Sequence, residues 1–186
     1  MDQRGLVERA RRGDHDAFAA LVGASVARLD ATAWLIVRDR ELAHDVVQDA
    51  LMRAWRDLPG LRDPGRFDAW LHRLLVNTCL MAIRHRRRRP IEVELEPIVL
   101  TADADPAGVI ADRDELDRAF AHLDPDHRAV VVLRYFVGMP MADIASVMGI
   151  PIGTAKSRLN RALASMRVVV APADTELERS TEGRVA

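Results

Sequence analysis

Two apolar stripes of helical spacing, one on each side of Gly149, constrain this chain more than any other feature of it. Met141, Ile144, Ala145 and Met148 repeat at intervals of three, four and seven residues, the spacing of one buried helix face. Gly149 follows, where a helix commonly ends on a left-handed residue. A second stripe runs through Ala155, Leu159, Ala162, Leu163 and Met166. Two short helices joined by about four residues that include glycine predict a helix-turn-helix. Lys156, Ser157, Arg158, Asn160 and Arg161 fall on the remaining arc of the second helix. On an isolated amphipathic helix a solvated face accounts for such an arc. After a helix and a tight turn the same arc suits a DNA major groove, where Arg and Lys donate to guanine, Asn to adenine and Ser to phosphate.

A third helix precedes the pair. Asp124 can cap it, Pro125 suits its first turn, and Val130, Leu133, Arg134 and Val137 carry it forward. Three helices, the last of them basic, can bury a small core and form a DNA-binding module.

The stretches Leu123-Asp-Pro-Asp-His-Arg-Ala-Val-Val-Val-Leu-Arg-Tyr-Phe136 and Gly153-Thr-Ala-Lys-Ser-Arg-Leu-Asn-Arg-Ala-Leu163 resemble region 4 of bacterial extracytoplasmic-function sigma factors. The usual pattern there is Gly-Thr-Val-Lys-Ser-Arg-Leu. Ala155 replaces the valine, and Pro140 stands where the family often has serine, which weakens the helix cap. The resemblance implies that Thr154, Lys156, Ser157, Arg158, Asn160 and Arg161 read a −35 promoter element.

The N-terminal half resembles the same family independently. Asp39 to Trp55, with its Asp-Val-Val-Gln-Asp run and a tryptophan seven residues after Gln48, looks like region 2.2. Leu42, Val46, Ala50, Ala54 and Trp55 share one helix face, and the polar residues lie largely outside it. A solvated face is the alternative reading of composition alone. The resemblance implies instead that Asp45, Gln48, Asp49, Met52 and Arg53 dock on core RNA polymerase. His44 stands where the family usually has glutamate.

Asp57 to Arg66 contains two glycine–proline breaks and predicts a loop. Its counterpart in the family captures a base flipped out of the −10 element, and Arg62 and Arg66 can hold phosphates. The helix that starts near Phe67 and runs to Ile83 resembles regions 2.3 and 2.4. Phe67, Trp70, Arg73 and Asn77 stand at familiar positions, and Arg84 opens the basic end of the helix. Aromatic rings beside cations can grip a single strand. Phe67 and Trp70 equally suit a buried helix face, so core and DNA readings both stand for them.

Net charge hides a division. Residues 1–89 hold 17 arginines against 12 acids, and residues 113–170 hold 8 cations against 6 acids. Between them, residues 90–112 hold 6 acids and no cation. This acidic, proline-containing stretch predicts a flexible linker. Its 23 residues reach about 75–80 Å when extended, enough to join sites about one and a half DNA turns, or roughly 50 Å, apart.

No run approaches a membrane span and no signal-peptide core is present. The single cysteine, Cys79, excludes an intrachain disulfide and reads as a small core residue. The six histidines form no His-Glu-x-x-His pair, and no glycine-rich nucleotide loop follows a strand. No cofactor, metal site or catalytic residue is expected.

These readings converge on an all-α chain of two small helical domains joined by a flexible acidic linker. Region 2 is expected over residues 1–89, the linker over 90–112, the helix-turn-helix region 4 over 113–170 and a disordered tail over 171–186. The expected partners are core RNA polymerase, promoter DNA and an anti-sigma factor, with cytoplasmic localisation and no membrane insertion. The competing expectation is a stand-alone helix-turn-helix regulator that binds duplex DNA without polymerase.

Overall fold

The structure is a computed structural model, and it describes residues 3–88 and 117–170. The expected linker and tail lie outside the described residues. Those residues form helices and connecting turns, with no strand among them.

The N-terminal unit comprises α1 (Gln3–Arg11), α2 (His15–Gly23), α3 (Val26–Val37), α4 (Arg40–Asp57) and α5 (Phe67–Arg88). Short acidic residues start two of these helices. Asp14 accepts from the Ala17 N–H at 2.9 Å, and Asp39 accepts from the Leu42 N–H at 2.8 Å. Each thereby satisfies one orphan donor of the first turn. Arg38, between α3 and α4, is left-handed at φ 62° and donates its N–H to the Trp34 carbonyl. A non-glycine residue there costs about 1–2 kcal/mol, so other contacts must hold it.

Helices α3, α4 and α5 enclose the main core. Leu29, Ala33 and Ile36 meet Val46, Ala50 and Ala54 of α4 and Leu71, Leu75, Val76 and Cys79 of α5. The three-and-four spacing of these residues is why the segments fold as helices packed on one another. Cys79 is fully buried, and burial pushes its thiol up to about 12.

In the C-terminal unit, residues 117–121 are helical. Then come α6 (Pro125–Val131), a π-helical continuation over Val132–Phe136, α7 (Met141–Met148) and α8 (Ile152–Val170). Asp124 accepts from the Asp126 N–H at 2.9 Å, and Pro125 occupies the first turn of α6, as expected. Gly149 closes α7 at φ 65°, also as expected, and the turn to α8 is only residues 149–151. Pro140 begins α7 without a side-chain cap. The π segment was not foreseen; its end is marked by the Val137 N–H donating to the Val132 carbonyl at 3.0 Å.

The two units are not apart. Val130, Val132, Leu133, Ile144 and Val147 belong to the same buried cluster as Leu29, Leu75 and Cys79. A small second cluster holds Leu123, Val131 and Ala162 with Met166, and Phe120 and Leu159 pack against both clusters. A three-helix module this small leaves one apolar face uncovered, and α3 and α5 cover it.

Among the described residues no single helix is long and apolar enough to cross a membrane. The α2–α3 pair passes by length and composition only together, bent by 59°.

Candidate nucleic-acid interface

Helix α4 is buried along Val46, Val47, Ala50 and Ala54, which turns its polar residues outward. Asp45, Gln48, Asp49 and Met52 are exposed and Arg53 is half-buried. Gln48 Nε2 donates to His44 Nε2 at 2.8 Å, tying two neighbours on this face. Met52 is 71% exposed. Its flexible, polarisable thioether is suited to packing against a partner.

The loop before α5 is braced from α1. Arg11 Nη2 donates to the Pro59 carbonyl at 3.4 Å, and Gln3 Nε2 donates to Asp68 Oδ1 at 2.9 Å. The Gly65 N–H donates to Asp63 Oδ1 at 2.9 Å, and a side chain at Gly65 would meet the Arg4 guanidinium at 3.2 Å. Small residues therefore keep the loop tight while Arg62 and Arg66 stay exposed.

Trp70, Arg73, Asn77 and Arg84 form one stripe along α5 at helical spacing, and Arg66, in the turn just before the helix, continues it. Arg73, Asn77 and Arg84 are exposed and Trp70 is half-buried. Met81, which the sequence did not single out, extends the stripe and is 54% exposed. Of the two aromatic residues for which core and DNA readings both stood, Phe67 is 1% exposed, and its ring packs inside the core with the Trp70 ring centroid 5.9 Å away, which favours the core reading.

On α8, Lys156, Asn160 and Arg161 are exposed, while Thr154, Ser157 and Arg158 are half-buried. Ser157 Oγ donates to the Thr154 carbonyl at 3.0 Å. Arg158 is held toward the protein by Asp126 at 3.5 Å. Ala155 and Ala162, on the opposite arc, are fully buried. That burial fixes which arc of α8 meets solvent.

One cleft of about 730 Å³ gathers residues from all three surfaces: Arg53 of α4, Asn77, Met81 and Arg84 of α5, and Met148 and Arg158 of the helix-turn-helix. Arg56 and Asp126 also line it. Neither was foreseen, because only the packing of the units brings them together.

A three-helix module with a basic last helix, beside a helical unit with a braced basic loop, is the architecture of a helix-turn-helix DNA-binding protein. A family model described as Sigma-70 region 2 matches residues 21–89, and one described as Sigma-70, region 4 matches residues 113–166. The RNA polymerase sigma-H factor of Pseudomonas aeruginosa is 33% identical over 169 residues, covering 84% of this chain and 88% of that protein. The ECF RNA polymerase sigma factor SigG of Mycobacterium tuberculosis is 32% identical over 185 residues and covers 86% of this chain. The chain spans only 49% of SigG, about half its length. Among solved structures, CnrH in complex with the cytosolic domain of CnrY superposes with a TM-score of 0.68 at 28% identity, covering 92% of this chain and 99% of CnrH. The sigma factor RpoE in complex with the anti-sigma factor NepR from Bartonella quintana gives 0.70 at 25% identity, covering 84% and 98%. The chain belongs to the ECF RNA polymerase sigma factors.

Proposed function

We propose that this chain binds core RNA polymerase, directs it to particular promoters and helps open the −10 DNA. Residues 1–89 act as region 2 and residues 113–170 as region 4. Asp45, Gln48, Asp49, Met52 and Arg53 contact polymerase. Arg62, Arg66, Trp70, Arg73, Asn77 and Arg84 hold the −10 element, and Thr154, Lys156, Ser157, Arg158, Asn160 and Arg161 read the −35 element. The observation that carries this reading is the division of α4, whose inward residues are core while Met52 stands 71% exposed among exposed polar side chains. A stand-alone regulator has no use for that face, so the alternative is not favoured.

Opening needs no chemistry from this chain, which acts in the cytoplasm without being an enzyme. The melted state is favoured because contacts to flipped bases and to the single strand exist only there. Because solved relatives are held by protein partners, we also assign an anti-sigma factor to this chain, covering the polymerase-binding surface.

Reconstitution tests the reading. Core polymerase should retain the chain at micromolar concentration, and the holoenzyme should give run-off RNA from a subset of genomic fragments. Tight duplex binding by the free chain with no polymerase association would establish the stand-alone regulator instead.

A further inference from the structure

The thioethers of this chain divide sharply by exposure. Met139, Met141 and Met148 are half-buried and pack against the main core, and Met166 packs against the smaller cluster. Met52 and Met81 stand apart from them, 71% and 54% exposed. A thioether reacts with hydroperoxides through a sulfur lone pair and has no proton to lose first, so access to the sulfur governs its rate. The thiol of Cys79 is enclosed in the core and reacts only as its thiolate. An oxidant reaching the folded chain therefore meets Met52 and Met81 before any other sulfur among the described residues.

Met52 stands where that chemistry has consequences. Asp45, Gln48, Asp49 and Met52 recur at intervals of three and four residues, so they share one outward arc of α4. Met52 supplies the apolar side chain of that arc. An unbranched thioether packs well against a partner. Its sulfoxide does not, because the new oxygen is a polar acceptor that must stay hydrated or be given a donor. The arc offers few donors. Asp45 and Asp49, when ionised, only accept. Gln48 Nε2 is engaged with His44 Nε2 at 2.8 Å, and Arg56, one turn past Met52, forks onto Asp57 at 2.8 and 3.2 Å. Burying the sulfoxide against polymerase therefore strands an acceptor, which costs affinity without disturbing the core behind it.

We propose that Met52 is a reversible oxidation site, and that its sulfoxide weakens the hold of the chain on core polymerase. The sulfur attacks one peroxide oxygen, an S–O bond forms as the O–O bond breaks, and the released hydroxide takes the S–OH proton to leave water. Sulfur loses two electrons and the peroxide gains them. Methionine sulfoxide reductases, one for each epimer, restore the thioether at the expense of a dithiol, which becomes a disulfide as water leaves. The effect on polymerase rests on the function proposed above; the selectivity of oxidation rests on exposure alone.

The test treats the full chain with limiting hydrogen peroxide and removes the peroxide with catalase before polymerase is added. Peptide mass spectrometry then follows each methionine. Met52 and Met81 should gain an oxygen about tenfold or more faster than Met139, Met141, Met148 and Met166. The oxidised chain should bind core polymerase about tenfold more weakly than the untreated chain, and the two reductases with dithiothreitol should recover that loss. Met52→Leu, whatever its starting affinity, should lose none of it on peroxide treatment, whereas Met81→Leu should lose as large a factor as the parent. Within assembled holoenzyme Met52 should be shielded from peroxide. Urea unfolding of the oxidised chain should match the parent, which separates a surface effect from a loss of fold. Similar oxidation rates at all these methionines would overturn the site. An affinity loss that persists in Met52→Leu, an oxidised chain that unfolds at lower urea, or unhindered oxidation of Met52 within the holoenzyme would overturn its role. Absence of polymerase binding by the untreated chain would instead sink the proposed function, and the oxidation rates would still decide the site.

Discussion

Replacing Lys156 and Arg161 together by alanine removes two exposed cations from α8 without touching its buried arc at Ala155 and Ala162. If both side chains meet DNA phosphate, each loss changes the slope of log affinity against log salt by about 0.9. The double variant should then show a slope shallower by about 1.8, so that raising salt fourfold, from about 50 to 200 mM, costs the parent roughly twelvefold more affinity than the variant. Arg158 is excluded from this count because Asp126 holds it at 3.5 Å. Equilibrium binding of the reconstituted holoenzyme to a promoter duplex across that salt range measures the slope. An unchanged slope would refute the placement of these two side chains on the DNA backbone. Asn160→Ala serves as the contrast: a base contact should cost about 1–3 kcal/mol at its own base pair, with no change in slope.

Further outcomes follow from burial. Met52→Ala should weaken polymerase binding by about 1–2 kcal/mol, a factor of five to thirty, while chemical denaturation shows stability within ~0.5 kcal/mol of the parent. Phe67→Ala should destabilise the fold by about 3–5 kcal/mol, whereas Arg66→Ala should leave urea unfolding unchanged and reduce promoter opening; a stable, opening-defective Phe67→Leu would contradict the core placement. His72 donates from Nδ1 to the Asp68 carbonyl at 2.8 Å, while its Nε2 is enclosed without a partner. Burial, aided by the charge of Arg28, outweighs the opposing Asp68 carbonyl and carboxylate and holds its pKa below 6.5. The neutral ring is the folded form. Its contribution is therefore complete above pH 6.5 and is lost as pH falls through the lowered value, so urea titrations from pH 7.5 to 5 should decline less steeply in His72→Leu.

The helix-turn-helix was legible because its signals are local. Gly149 needs no partner to favour a left-handed end, and Asp124 caps a helix that begins at the very next residue. The outward face of α4 was legible for the same reason, since its spacing alone separates Val46 and Ala50 from Asp45 and Asp49. Phe67 was not, because periodicity places a residue on a helix without saying which arc a neighbouring helix will cover. The π segment over Val132–Phe136 depends on tertiary packing around Leu133, which no local propensity records. The pairing of Arg38 with Asp117 joins residues 79 apart in sequence. Both are ordinary charged residues in polar neighbourhoods, so nothing in the spacing marks them.

The enclosed thiol of Cys79 bears on how such a chain is controlled. Burial pushes its pKa up to about 12, so the thiolate, the form that reacts with peroxides and disulfides, is disfavoured at neutral pH. It is also the chain's single sulfhydryl. A thiol-directed oxidant therefore finds Cys79 in its unreactive, enclosed form.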